Sequence, residues 1–265
     1  MPDIDSIHTV AATLWRNEYD SLMRLCAEAD GSLRGLYRSH TGASGDYRVL
    51  GFTARTAKDT EAFGVALSIR WGAIGSDDDG AGRHWVSGLS GQLLPTPQGP
   101  RLLLMHNLVV TAEEAFGPAP GFHLDKLHYD EHLDGAFEIS DAPPGRAGSD
   151  AVANPLNGDW LAVEPRELRM RLAVNSQGEI EGTLSARDGD SARLVGLTDH
   201  EAESANLSLQ SITISAASGT QAISFSGWLD RERDELVLLN QSSAGTVYGD
   251  RYLQTRTQGL RFRRS

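Results

Sequence analysis

Asn17, Ser21, Tyr37 and Ser39 have the residue types and spacing to grip a small molecule. They offer an amide, two hydroxyls and a phenol, all neutral groups able to donate to a carbonyl oxygen. All four lie in one stretch, Trp15 to Ser39 (WRNEYDSLMRLCAEADGSLRGLYRS), which reads as a hairpin. Trp15 to Leu25 has strand character, Asp30-Gly31 makes the turn, and Ser32 to Ser39 returns with period-two alternation. Residues two apart on a strand share a face, so Trp15 goes with Asn17 and Tyr37 with Ser39. With those faces inward, an apolar cavity receives polar groups from adjacent strands. A core built only for stability has little use for them, because each one left unpaired costs about 1–3 kcal/mol. The set makes sense when a ligand enters to be hydrogen-bonded.

The other chemical constellations have blander readings. His128, Asp130 and His132 share a strand face, with His123 just upstream, and two imidazoles and a carboxylate suit Zn²⁺ or Fe²⁺. Positions i and i+4 of a strand lie about 13 Å apart, however, so the run is expected to be a half-solvated outer strand without metal. Ser76-Asp77-Asp78-Asp79-Gly80 lacks the spaced ligands and closing Glu of a calcium loop and reads as a solvated hairpin loop. Arg261, Arg263 and Arg264 alternate with Phe262, the pattern of a strand with its charges in water. No phosphate-binding, dinucleotide-binding, zinc-cysteine or nucleophile-elbow motif occurs, and no cofactor is expected.

The elements that position the polar set recur as strand-like runs bounded by Gly, Asp, Ser and Pro. They include Tyr47–Phe52, Val65–Trp71, Trp85–Leu93, Arg101–Thr111 and Leu124–Leu133, and only residues 2–12 hint at a short helix. Such spacing predicts an all-β sandwich or barrel. Residues 138–157 (EISDAPPGRAGSDAVANPLN) have linker composition.

Beyond them the pattern begins again. Trp160 echoes Trp15, and LRMRLAVNSQGEIEGTL (168–184) echoes SLMRLCAEADGSLRGLY (21–37). ARLVGL (192–197) follows YRVLGF, ISFSGWL (223–229) follows VSGLSGQL, and ELVLLNQSS (235–243) follows LLMHNLVVT. A repeat this long means two copies of one domain, residues 1–137 and 158–265, each large enough for a small closed barrel.

Charge and composition narrow the partners. The 265 residues carry a formal charge of −12, which argues against nucleic acid or an anionic membrane surface. One cysteine, Cys26, leaves no internal disulfide. Neither a leader pattern nor a long apolar span is visible, and the expected location is cytoplasmic.

The first copy resembles the avidin/streptavidin family over nearly its whole length. The resemblance is carried by W-x-N-x(3)-S from Trp15 to Ser21, by Gly35-x-Tyr37-x-Ser39, by Trp71, by Ser90-Gly91-Gln92 and by Leu108-Val109-Val110-Thr111. It implies two tandem eight-stranded antiparallel up-and-down β-barrels, each with one pocket at its mouth. It also implies roles: Asn17, Ser21 and Tyr37 donating to the ureido oxygen of biotin, and Ser39 and Asp130 accepting its N–H groups. Trp71 would be an apolar wall and Ser87 a hydroxyl near the tail.

Leu89 and Leu108 stand where the family has aromatics, Trp85 stands at a common serine, and Phe116 is a candidate for a tryptophan lent by a neighbouring subunit. The loop after Ser39 reads His40-Thr41-Gly42-Ala43. In the second copy Ala162, Leu184 and Ala186 replace the asparagine, tyrosine and serine, Phe225 takes an aromatic position, and Leu260 lies near the expected aspartate.

Two functions fit. One is non-catalytic binding of biotin or a related carbonyl-bearing ring with an apolar tail. The other uses the same donors as an oxyanion hole in a cofactor-independent cyclase or isomerase of natural-product biosynthesis, with Tyr37 and Asp130 as candidate catalytic groups. In either case the partner is a small molecule, and the two barrels are expected to pack as an intramolecular pseudo-dimer.

Overall fold

The structure, a computed structural model, describes residues 13–40, 45–55, 62–72, 74, 83–113, 117–132, 152–186, 191–247, 250 and 255–265. Residues 2–12, the 76–80 loop, Thr41 to Ala43, Phe116 and the linker as far as residue 151 lie outside them. Among the described residues every regular element is a strand, and the strands close into two antiparallel up-and-down barrels. The first contains β1 (Thr13–Asn17), β2 (Leu22–Ala27), β3 (Ser32–Ser39), β4 (Gly45–Thr53), β5 (Phe63–Arg70), β6 (Trp85–Leu94), β7 (Arg101–Val110) and β8 (Gly121–Glu131). The second contains β9 (Gly158–Ala162), β10 (Arg169–Val174), β11 (Glu179–Ser185), β12 (Ser191–Thr198), β13 (Leu209–Ser218), β14 (Gln221–Asp230), β15 (Glu235–Ala244) and β16 (Thr255–Arg264).

The expected hairpin from Trp15 to Ser39 is instead a three-strand meander. The chain turns at Glu18–Asp20, where Asp20 takes a left-handed conformation (φ 61°). A single strand through Leu25 does not form, because Asn17 captures the backbone of the turn. Its Oδ1 accepts from Tyr19 N at 3.1 Å and Ser21 N at 2.9 Å, while its carbonyl accepts from Asp20 N. Asn favours turns by this kind of local bond. Residues 152–157 belong with the second barrel: Leu156 is fully buried and its carbonyl accepts from Trp160 Nε1 at 2.9 Å.

Alternation sorts each strand into a face for the lumen and a face for the outside. Trp15, Met23, Val49, Leu67, Leu89 and Leu104 meet inside the first barrel; Trp160, Met170, Leu194, Phe225 and Phe262 meet inside the second. Each such side chain contributes about 1.5–3 kcal/mol by burial. Cross-strand register equates the copies. Asn17 pairs with Tyr129 as Ala162 pairs with Phe262, and Met23 pairs with Tyr37 as Met170 pairs with Leu184.

The outer faces of β5 and β6 are small and polar, and they pack against the same faces of the second barrel. Strand β4 meets β12, β5 meets β13 and β6 meets β14, each against its own counterpart, as in an isologous dimer. Ser68 Oγ lies 2.8 Å from Ser215 Oγ, and Ser90 Oγ lies 2.8 Å from Ser243 Oγ. Asn107 Nδ2 donates to Ser226 Oγ at 2.7 Å. Leu50, Phe52, Val195 and Leu197 form an apolar patch beside this polar centre. At its margin the buried Asp199 carboxylate meets His84 Nδ1 at 2.5 Å, and Arg70 reaches Glu201 at 3.1 Å. The two barrels are a pseudo-dimer within one chain.

Candidate functional site

Strand ends and loops gather the polar set at one mouth of the first barrel. Asn17 ends β1, Ser21 precedes β2, and Tyr37 and Ser39 end β3; all four are buried. The Asn17 amide is oriented by its partners. Only its oxygen can accept from two backbone N–H groups, so the NH₂ faces inward, where Nδ2 donates to Tyr37 Oη over a long 3.4 Å. Ser21 Oγ accepts from His40 N at 3.3 Å and lies within reach of the Tyr37 hydroxyl. Burial raises the Tyr37 pKa, against the polar groups of Ser21, Tyr129 and Asn17 beside it. The phenol therefore stays protonated and is a donor.

An aromatic belt crosses the neighbouring strands. Tyr47, opposite Tyr37 in the β3–β4 ladder, has its ring centroid 4.8 Å from that of Trp71, and Tyr37 meets the same indole edge-on at 5.7 Å. Trp71 Nε1 donates to Ser87 Oγ at 2.8 Å, and Ser87 Oγ lies 2.7 Å from His106 Nε2. An indole can only donate, so Ser87 Oγ accepts from Trp71 and links it to His106 Nε2. His106 keeps part of its surface uncovered, yet the protein crowds its ring enough to lower its pKa to about 4, with the Asp125 charge pulling the other way. Trp85 is half-buried at the start of β6, under the Arg83 guanidinium at 5.8 Å, and its Nε1 has no partner. Leu89 is buried on the lumen face and Leu108 is half-buried on the same face.

Asp130 goes elsewhere. Strand β8 presents Leu127 and Tyr129 to the lumen, which turns Asp130 outward to meet Arg101 Nε at 2.6 Å in solvent. A one-residue change of phase puts a side chain on the opposite face, and the loosely matching last strand carried that change. The inward position belongs to Tyr129, which is fully buried and within range of Tyr37 and Asn17, while its hydroxyl has no hydrogen-bond partner. Burial, followed by the neighbouring Tyr37, raises its pKa well above the usual phenol value. His128 is exposed on the outer face with Asp130.

Sequence reasoning thus missed Tyr47, His106 and Tyr129. The signal for Tyr129 was present: Leu127 and Tyr129 carry the apolar phase of their strand. Tyr47 was findable as the cross-hairpin neighbour of Tyr37. Nothing in the sequence near His106 marked it.

In the second barrel the same register positions hold Ala162 for Asn17, Leu168 for Ser21, Leu184 for Tyr37, Ala192 for Tyr47 and Phe262 for Tyr129. That interior has no amide, hydroxyl or phenol where the first barrel has its cluster.

No protein-family model and no curated protein matches this chain. Among solved structures it is similar to a rhizavidin–biotin complex, at 17% identity and a TM-score of 0.37, over 48% of this chain and 97% of that one. It is also similar to intact afifavidin in its apo form, at 14% identity and a TM-score of 0.36, over 49% of this chain and 87% of that one. The described strands of this chain form two closed eight-stranded antiparallel barrels in tandem.

Proposed function

We propose that the N-terminal barrel binds a small molecule by a carbonyl oxygen held by Asn17, Ser21 and Tyr37. The observation that carries this reading is the Asn17 amide. Its oxygen is spent on the Glu18–Asp20 turn, so its N–H groups are fixed toward the lumen before any ligand arrives. Preorganised donors lose little ordering entropy on binding, which favours tight association. The contrast with Ala162, Leu168 and Leu184 in the second barrel supports it, since the same fold closes without these groups.

Biotin is the first compound to test, because the Trp15–Ser39 pattern implies it. Ligand binding adds RT ln(1 + [L]/Kd) to stability, about 4 kcal/mol at a thousandfold excess over Kd. A tight ligand therefore raises Tm by several degrees, and Tyr37→Phe reduces the rise. If biotin leaves Tm unmoved, it is not the ligand. The reading itself fails if native mass spectrometry finds no retained small molecule and no cyclic ketone, amide or urea shifts Tm.

The surplus of donors over one carbonyl's lone pairs favours a second reading, a cyclase or isomerase using the cluster as an oxyanion hole. Asp130 faces solvent and no longer serves as the acid–base group; Tyr37 is the remaining candidate. Turnover lost in a folded Tyr37→Phe protein, with ligand binding retained, separates this reading from simple binding.

A further inference from the structure

The two barrels meet through equivalent strands, so a side chain at their contact has a counterpart across a pseudo-two-fold axis. Register fixes the pairs. Gly51 opposite Leu67 corresponds to Gly196 opposite Ile214, and Arg70 opposite Val86 corresponds to Ala217 opposite Ala222. The residue after β4, Ala54, donates its N–H to Gly64 O; the residue after β12, Asp199, donates its own to Ser211 O. Ala54 and Asp199 are therefore one position, as are Ala217 and Arg70.

A symmetric dimer would make the same contact twice, but this chain makes it in two different ways. At one end Ala54 packs with Ala66, Ala217 and Ala222 in a small apolar cluster. At the other, the Asp199 carboxylate is 1% exposed and meets His84 Nδ1 at 2.5 Å. Arg70 Nη2 lies 3.9 Å from Asp199 Oδ1 and 3.1 Å from Glu201 Oε1. Asp199 Oδ1 also accepts from Glu201 N at 3.1 Å, which fixes the carboxylate on its own loop. A buried ionic cluster is a poor device for stability, because an apolar replacement is often neutral or better. The alanine end shows that this contact closes without charge.

The charged end differs in what it touches. Arg70 closes β5 and is followed by Trp71; His84 precedes Trp85, the first residue of β6. Trp71 N donates to Trp85 O at 3.1 Å, which ties the two roots of the β5–β6 connection together. From these roots the Trp71 indole reaches Tyr37, Tyr47 and Ser87. In the second barrel the places of Trp71 and Trp85 are taken by Ser218 and Gln221, so there is no indole to hold.

Resting on the reading of the first barrel as a carbonyl site, we propose that Asp199 of the second barrel positions Trp71 as a wall of the first barrel's pocket, by holding His84 and Arg70 at the two roots of the β5–β6 connection. Asp199 touches no ligand and acts through these neighbours. The second barrel, whose own interior lacks the polar set, thereby serves the site in the first.

The test reads the place of Trp71 without a ligand. In protein labelled at Trp and Tyr, NOEs from the Trp71 indole to the Tyr37 and Tyr47 rings and the solvent exchange of the Trp71 Nε1 hydrogen are measured. The parent is compared with Asp199→Ala, Asp199→Asn and Val195→Ala, the last loosening the apolar patch of the same contact. Ala54 shows that alanine fits this place in the fold, and asparagine keeps the shape of the aspartate. Trp160, fully buried in the second barrel, is the internal reference. The expected result is weakened NOEs and indole exchange faster by about tenfold in Asp199→Ala, the same to a lesser degree in Asp199→Asn, and neither in Val195→Ala. NOEs and exchange that stay at parental values in both Asp199 variants overturn the proposal. An equal change in Val195→Ala also overturns it, because any loosening of the contact would then suffice. Should Asp199→Ala not fold, Asp199→Asn decides by the same criteria. A parent in which neither biotin nor 2-imidazolidinone moves any Trp71 signal counts against the carbonyl reading alone, since the NOEs need no ligand.

Discussion

Tyr129 and Phe262 occupy one position in two barrels: each pairs with the last residue of the first strand, Asn17 in one copy and Ala162 in the other. Both rings are fully buried, and they differ by a single oxygen. That oxygen has opposite consequences in the two interiors.

Exchanging the two rings should therefore have unequal effects on the ligand-free protein. Tyr129→Phe removes an unpaired buried hydroxyl and is expected to leave stability unchanged or slightly raised. Phe262→Tyr places a hydroxyl among apolar side chains and should cost about 1–3 kcal/mol. Chemical denaturation of the two variants and the parent measures both. Equal losses from the two changes would mean that the Tyr129 hydroxyl has a partner in the free protein.

The interface between barrels depends on a glycine. A Cβ on Gly88 would stand 2.5 Å from Ser224 Oγ, 2.7 Å from Ser226 Oγ and 2.8 Å from Ser226 Cβ. Ser226 Oγ is also the acceptor for Asn107, so it cannot turn aside without losing that bond. Gly88→Ala should destabilise the protein by about 1–3 kcal/mol through overpacking. The loss falls on the contact between barrels, so the denaturation curve is expected to broaden or split into two steps. A single transition at the parent's midpoint would show that the interface relaxes freely.

His106 should give stability a dependence on pH. Its folded pKa, about 4, lies below the ordinary imidazole value of 6.5 because burial disfavours the charged ring. Between those values the unfolded chain binds the proton more readily than the folded one. The His106 contribution is thus complete above about pH 6.5 and is lost as pH falls toward 4. His106→Asn copies the second barrel, which has Asn240 at the equivalent place beside β14. Denaturation midpoints for parent and variant at pH 7, 6, 5 and 4.5 should diverge, with the parent losing more on acidification. Parallel profiles would remove His106 as the cause.

The site was legible as far as one strand's alternation reaches. Trp15 with Asn17 and Tyr37 with Ser39 share faces by period two alone, and the lumen receives both pairs. The β8 misassignment shows the limit. Alternation says that Asp130 and Tyr129 face opposite ways, but not which of them faces in, until Leu127 and the pairing of Tyr129 with Asn17 fix the phase.

By itself, the sequence determined two copies of an all-β unit and the loss of the polar set from the second. Those follow from residue order, because a repeat and its substitutions are visible without coordinates. Only the tertiary structure decided what requires several strands at once. It broke the run from Trp15 to Leu25 at a turn that Asn17 closes, exposed Asp130, and brought Tyr47, His106 and Tyr129 to the mouth. It also set Gly88 against Ser224 and Ser226 between the barrels. The physical reason is that strand pairing and barrel closure set register and phase between segments far apart in sequence. A single strand specifies its two faces, and its neighbours choose which of them is the inside.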